Sequence, residues 1–361
     1  MTRHHFRAAG LATTLLLAAC SDTTEPVTVV DVAQPWTAAA PAAEGMNPSL
    51  TARAVTAAAA VSRARALLVA RHGRLVVEVY FGGADSSTRF DVRSVTKSVV
   101  SALTGIALSR GMLPSLDAAA APWLPASDTI DAGDAAVTVR ELLTMTSGYQ
   151  WDEETGNDYD LWIASADHVQ YLLDRPQSGP PGPFTYNSAA VHLLGVVLQH
   201  AAGMPLPAFA DSVLFAPAGI TSAQWEPLDA GTVNGGSGIS LTGRDLLRFG
   251  QLVLQQGRSG TRQIIPADWA RTMTAPQFSW RETDGPQTHV SYGYLWWTTD
   301  GPPTPAAFAW GFGGQFVYVA PALDLVAVVT TSWQGLSGAP LTATTDSALA
   351  VIVSGVLPAA R

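Results

Sequence analysis

Strand-like patterns occupy the two ends of this chain and helix-like patterns fill its middle, a distribution that constrains the fold more than any other feature. The stretch ALLVARHGRLVVEVYFG, residues 66–82, reads as two strands joined at His72-Gly73, a hairpin with His72 in the turn. Strand patterns return in SYGYLWWT (291–298), GQFVYVAP (314–321) and LDLVAVVTTS (323–332), followed by an apolar helix from about Thr345. From about 94 to 280 the pattern is mostly helical, with many Pro and Gly breaks. Hairpin connections imply antiparallel pairing, so the class is α+β rather than a doubly wound parallel sheet. Asn47 and Pro48 read as the N-cap and first residue of an Ala-rich helix running to about Arg63. There is no internal repeat.

Residues 1–20, MTRHHFRAAGLATTLLLAAC, stand apart from the fold. Arg3 and Arg7 precede a short apolar core, Ala8 to Leu17, which is too short to span a membrane. The closing LAAC resembles a bacterial lipobox, in which Cys20 becomes the lipidated first residue of the mature protein. Cys20 is also the sole cysteine, which excludes disulfides and cysteine metal sites. With Ser21 next, the resemblance implies a cell-envelope protein, anchored in the outer membrane and facing the periplasm. Residues 21–46, rich in Thr, Pro and Ala, read as a flexible tether. No later stretch reads as a membrane span. The net charge is −9 and becomes −11 without residues 1–19, which carry two arginines and no acids; nucleic acid is a poor partner for such a chain. Residues 47–361 are long enough for one large domain, with an α/β lobe of about 47–115 and 285–361 around a helical lobe of about 116–284.

Of 20 basic residues, 19 are arginine and one is Lys97, in RSVTKSVV (93–100). Arginine stays protonated, whereas a buried lysine can lose its proton and act as a base. SVVSALTGIALSRG, 98–111, is a helical run that Gly111 can end, so Ser94 lies at the helix start and Lys97 one turn on, facing the same way. A helix N-terminus favours a developing alkoxide and disfavours an ammonium. Lys97 is then the base for a nucleophilic Ser94.

This S-x-x-K at a helix start resembles the penicillin-recognising serine hydrolases: serine β-lactamases, penicillin-binding D-Ala-D-Ala peptidases and their esterase relatives. The resemblance covers about 48–361. TVRELLTMTSGYQW (138–151) is similar to that family's scaffold helix, with Thr138 and Glu141 as a capping box and Gly148 as its stop. PGPFTYNSAAVHLLG (181–195) resembles the segment of the second motif, which makes Tyr186 the second acid–base group, its phenol pKa lowered by Lys97. Ser188 stands where the family often has asparagine, and 6-aminohexanoate-dimer hydrolases look like this Tyr-x-Ser version. YGYLWW (292–297) and GFGGQFVYVAP (311–321) resemble the strands of the third motif, whose basic residue is replaced in Ala309-Trp310-Gly311. The resemblance implies a β-lactamase/transpeptidase-like fold, an oxyanion hole from the N–H groups of Ser94 and Phe312, and substrate contacts from Ser188, Trp310, Gly311 and Gly313.

The acidic aromatic segment WDEETGNDYDLW (151–162) reads either as a solvated loop or as a rim of the cleft, in which case Trp151 and Trp162 join Trp310 in an apolar wall. Nothing matches a G-x-S-x-G elbow, an H-E-x-x-H zinc site or a nucleotide-binding loop. His168, His192 and His200 read as surface or core residues. The expectation is a serine hydrolase of small esters or amides that works through an acyl-enzyme without cofactor or metal. A β-lactamase or D-Ala-D-Ala carboxypeptidase stays open, as does a silent envelope-binding lipoprotein. Because Ala309 replaces a basic residue, neutral or cationic substrates are expected unless Arg244 or Arg281 reaches in.

Overall fold

The structure is a computed structural model that describes residues 27–229 and 231–361; the lipobox and Cys20 lie outside the described residues. Strands β1 (Ala64–Arg71) and β2 (Arg74–Tyr80) form the expected hairpin. His72 (φ 49°) and Gly73 (φ 70°) both take the left-handed conformation, the geometry of a two-residue turn that matches strand twist. Helix α1 (Pro48–Ala60) is capped by Asn47, whose side chain accepts from the N–H groups of Ser49 and Leu50. Short strand β3 (Arg89–Asp91) leads into helix α2 (Val95–Ser109), which ends just before Gly111 (φ 70°).

The helical lobe contains α3 (Val139–Thr144), α4 (Asp158–Ile163), α5 (His168–Leu173), α6 (Ser188–Ala202) and α7 (Leu206–Ala210). Thr138 and Glu141 form the capping box, but α3 ends at Met145 (φ 60°), three residues before Gly148. Strands β4 (Gln224–Trp225) and β5 (Ile239–Thr242) join β3 in a small sheet of order β3-β5-β4. Helix α8 (Gly243–Leu254), a two-stranded ribbon of β6 (Arg258–Ser259) and β7 (Arg262–Gln263), and α9 (Ala267–Met273) follow.

The main sheet is completed by β8 (Phe278–Asp284), β9 (Gln287–Tyr292), β10 (Trp297–Thr299), β11 (Ala306–Gly311), β12 (Gln315–Ala320) and β13 (Leu325–Thr331). Its order is β2-β1-β13-β12-β11-β10-β9-β8, with antiparallel pairing throughout. The β1–β13 pair joins the two chain ends, as the sequence pattern implied. Strands β1, β12 and β13 are almost wholly buried, because helices cover both faces: α8 lies against β1, β12 and β13.

Three boundaries differ from the sequence reading. The segment expected as a tether is, from Val27 on, laid against the domain: the N–H groups of Thr28, Val30 and Val32 donate to Asp324, Gln255 and Ser259. Thr37 and Ala39 bond to the backbone of Leu75, covering the edge strand β2. Val27, Val30 and Val32 explain this, since they bury apolar surface that the surrounding Thr, Pro and Ala obscured. The helical lobe is also shorter than 116–284, because β8 belongs to the main sheet and α8 packs on it. The last helix, α10 (Gly338–Ala350), begins before Thr345 and runs on so that Gly338–Ala359 forms a 22-residue helical run of mean hydropathy 1.4. That is long enough to span a membrane, contrary to the sequence reading, but half of its hydrophobic window is buried within the domain, as in a core helix.

Candidate active site

Ser94 is the N-cap residue of α2, preceded by Arg93 in the left-handed conformation (φ 49°). That turn carries the chain from β3 into a helix buried from Val95 to Ala107. Lys97, one turn in, is 1% exposed, and its Nζ lies 3.0 Å from Ser94 Oγ, 2.8 Å from Ser188 Oγ and 2.8 Å from the Gly236 carbonyl. Burial pushes the amine down to about 8; the Glu153 charge opposes the fall and the Arg93 charge adds to it. An amine with that pKa has a sizeable neutral fraction near neutral pH and can take a proton from Ser94.

Tyr186 lies over the same amine, with Lys97 Nζ 4.8 Å from its ring centroid. The expected lowering of its pKa is reversed. Burial pushes the phenol well above its ordinary value, the Glu153 charge adds to this, and the hydrogen bond with Ser94 opposes it. Tyr186 is therefore a neutral hydroxyl, suited to passing a proton rather than holding a negative charge. Asn187, next in sequence, caps α6 by accepting from the Ala190 N–H.

Ser188 was expected to meet substrate. It is buried instead, with its hydroxyl between Lys97 and Glu153: Ser188 Oγ donates to Glu153 Oε1 at 2.6 Å and its N–H donates to Oε2 at 2.7 Å. Trp151 and Trp162 are likewise not an open wall. Trp151 is 6% exposed and its indole N–H donates to Glu153 Oε2 at 2.7 Å, while Trp162 is fully buried against it. The 151–162 segment does reach the site, but through Glu153 and through Tyr159, whose hydroxyl accepts from Arg93 Nη2 at 2.9 Å. Sequence reasoning missed Glu153, Arg93 and Gly236. Only the acidic loop composition hinted at the first, and no sequence signal marked the Gly236 carbonyl, which the Asn234 side chain positions by accepting from the Gly236 and Ser237 N–H groups.

The third segment ends β11 close to the turn that precedes Ser94. A Cβ on Gly311 would lie 2.1 Å from the Val92 carbonyl, and one on Gly313 (φ 77°) would lie 2.4 Å from Trp333 Cβ. These glycines admit close approach by the protein's own atoms, the Val92 carbonyl at Gly311 and Trp333 at Gly313. The contact sets Gly311, which precedes Phe312, against Val92, two residues before Ser94. Among the described residues, the N–H groups of Ser94 and Phe312 donate to no protein acceptor. Around them lie half-buried Trp310, packed against Trp297 (5.3 Å), Tyr186 stacked on Trp297 (5.9 Å), and exposed Phe312 edge-on to Trp333 (5.8 Å). Ala309 is fully buried in β11.

Both arginines considered earlier lie beside acidic residues. Arg244 makes a bidentate pair with Glu78 on β2, and Arg281 sits beside Glu154 and Asp284. The neighbouring cation is Arg93, 4.5 Å over the Trp333 ring and 5.2 Å over Tyr159, and 3.8 Å from Asp91. His168 and His192 are core residues: His168 Nδ1 is 2.6 Å from Asp229, and burial pushes His192 down to about 4. Among the described residues, no group of three or more His, Cys, Asp or Glu side chains could hold a metal ion.

The fold, a sheet built from both chain ends with Ser94 and Tyr186 gathered around buried Lys97, has the architecture of the β-lactamase-like hydrolases. The chain belongs to the Beta-lactamase family, which it matches over residues 51–351. It is 24% identical over 292 residues to 6-aminohexanoate-dimer hydrolase of Paenarthrobacter ureafaciens, covering 74% of this chain and 72% of that protein. It is 33% identical over 175 residues to esterase EstB of Burkholderia gladioli, but that match spans only 42% of this chain and 44% of the esterase. The fold is shared with a β-lactamase/D-alanine carboxypeptidase from Yersinia pestis at a TM-score of 0.66 and 18% identity, over 85% of this chain and 98% of that one.

Proposed function

We propose that the protein hydrolyses small esters or amides through an acyl-enzyme on Ser94. The observation that carries this reading is Lys97, a buried amine pushed down to about 8 and 3.0 Å from Ser94 Oγ. Neutral Lys97 accepts the Ser94 proton as the oxygen attacks the carbonyl carbon. The N–H groups of Ser94 and Phe312 receive the oxyanion. As the bond to the leaving group breaks, Tyr186 gives its proton to the leaving oxygen or nitrogen and regains one from Lys97. A water molecule then attacks the ester on Ser94, giving its proton to the same pair, and the acid product leaves with Ser94 regenerated. No cofactor takes part.

Trp297, Trp310 and Phe312 supply an apolar surface for an acyl chain or an aryl leaving group. β-Lactamase or D-Ala-D-Ala carboxypeptidase activity is the second reading, and Arg93 is the observation that favours it, because it places a cation beside Ser94 for a substrate carboxylate. Against it, Arg93 is already engaged with Tyr159 and Asp91, and buried Ala309 replaces the basic residue of the third motif. A screen of the purified chain against p-nitrophenyl esters, small amides and nitrocefin tests the choice. Turnover of esters or amides well above nitrocefin is expected; nitrocefin turnover matching the best ester overturns the preference. We further propose that Cys20 carries lipid and holds the protein in the cell envelope, on the outer membrane facing the periplasm. The full chain expressed in a Gram-negative host should then fractionate with membranes and its Cys20→Ser variant with the soluble fraction; a wholly soluble native form overturns it.

A further inference from the structure

We propose that Glu153 is a positioning residue that acts through Ser188 to aim the lone pair of Lys97 at Ser94. The inference rests on the proposed chemistry of Ser94 and Lys97 and adds a residue to it.

The argument counts hydrogens. Lys97 Nζ has three oxygen neighbours within hydrogen-bond distance: Ser94 Oγ, Ser188 Oγ and the Gly236 carbonyl. A neutral amine offers two N–H bonds and one lone pair to these three. The Gly236 carbonyl can only accept. The Ser188 hydroxyl has a single hydrogen, and Glu153 Oε1 at 2.6 Å takes it, because a carboxylate has none to give. Ser188 Oγ therefore turns a lone pair to Lys97 and becomes a second obligatory acceptor. Both amine hydrogens are then committed, and the lone pair is left to Ser94, the one neighbour with a hydrogen to donate. Glu153 itself is held in place by two donors at Oε2, the Ser188 N–H and the Trp151 indole N–H, each at 2.7 Å. The first N–H groups of α6 also favour an anion at that end of the helix.

The same count predicts what an amide does there. In Glu153→Gln the two donors facing Oε2 require the amide oxygen at that place, which turns the NH2 group toward Ser188 Oγ. The Ser188 hydroxyl can no longer donate to residue 153 and rotates its hydrogen toward Lys97, where it competes with Ser94 for the lone pair. Glu153 charge also supports the Lys97 ammonium, so its loss moves the titration of Lys97 downward.

The test is steady-state hydrolysis of the best p-nitrophenyl ester across pH for the wild type, Glu153→Gln, Ser188→Ala and the double variant, each checked for folding by circular dichroism. Glu153→Gln should lose about tenfold to a hundredfold in kcat with KM nearly unchanged, and its acidic limb in kcat/KM should move to lower pH. A purely structural defect would not move the limb in that direction. Ser188→Ala should show a similar kcat loss, and adding Glu153→Gln to it should cost little more, because the route through the hydroxyl is already gone. An active wild type with unchanged kcat and limb in Glu153→Gln overturns the inference, as does full additivity in the double variant. Should Glu153→Gln fail to fold, an unchanged kcat in folded Ser188→Ala also overturns it. No ester or amide turnover by the wild type, with no adduct on Ser94, would instead overturn the proposed function and this inference with it.

Discussion

Two stretches converge on the amine of Lys97, and they were built by different means. The start of α2, residues 93–97, carries Ser94 and Lys97 three positions apart on one helix, so one turn of local geometry brings hydroxyl and amine to 3.0 Å. The 151–162 segment contributes Glu153 only because the chain returns 35 residues later at Ser188, which bridges carboxylate and amine. A locally encoded pair survives small shifts of the rest of the molecule, whereas an assembled one depends on every contact that holds the two segments in register. The proposed nucleophile and its proposed base are therefore secured by a helix, while the groups around the amine that are proposed to direct it come from tertiary packing.

The largest effect should come from breaking the local pair. Lys97→Arg keeps the charge but removes the neutral base, and kcat should fall by about a hundredfold or more. Folded Lys97→Arg with near-normal turnover of the best ester would break the comparison outright. Next is the tertiary contact that seats the third segment. Gly311→Ala places a methyl 2.1 Å from the Val92 carbonyl, two residues before Ser94, so one backbone or the other must move. Displacement of that order near reacting atoms costs about a hundredfold in rate, and kcat should fall by up to that much while thermal unfolding shows the fold retained. Unchanged kcat would mean that the Phe312 turn does not serve the reaction.

The pH profile sharpens the same contrast. The Lys97 pKa is lowered from 10.5 to about 8, and the reaction needs the neutral amine. Wild-type kcat/KM should thus rise with pH, about tenfold per unit well below 8, and level off above it. Tyr186 is pushed upward, so it stays neutral through this range and adds no alkaline limb there. A limb centred near 6, the ordinary range of a histidine, would point to a different base. The same shift acts on folding: between about 8 and 10.5 the unfolded chain binds more protons at this lysine than the folded one, so its contribution to stability rises with pH across that window. The smallest effect should be at the apolar surface, where Trp310→Ala should lower kcat/KM for a longer-chain ester by about tenfold and for acetate by less. Equal losses for both would remove Trp310 from the acyl site.

What the sequence disclosed follows the same division. Local rules identified the Asn47 cap, the Thr138–Glu141 capping box, the His72-Gly73 turn and the Ser94–Lys97 spacing, because each depends on residues within a few positions. The α+β class was legible because strand patterns at both ends had to pair. Burial was not legible, and it governs most of the errors. Tyr186 was expected to have a lowered pKa because Lys97 is near, but desolvation outweighs that neighbour. Trp151, Trp162 and Ser188 were expected to meet substrate, yet all three are closed off around Glu153 or the core. Gly311 and Gly313 correctly signalled close approach, but the sequence could not say to what. The segment from Val27 to Met46 was misread because composition averages over the few valines that dock it.

The account stands or falls on Ser94 as a nucleophile activated by Lys97, and the most direct measurement is covalent capture. The purified chain treated with a fluorophosphonate, followed by intact-mass analysis and peptide mapping, should carry one adduct on Ser94. The labelling rate should rise as pH passes through about 8, and Ser94→Ala and Lys97→Arg should remain unlabelled on the same time scale. An adduct on another residue, or labelling of Ser94 that is indifferent both to pH and to Lys97→Arg, would contradict it.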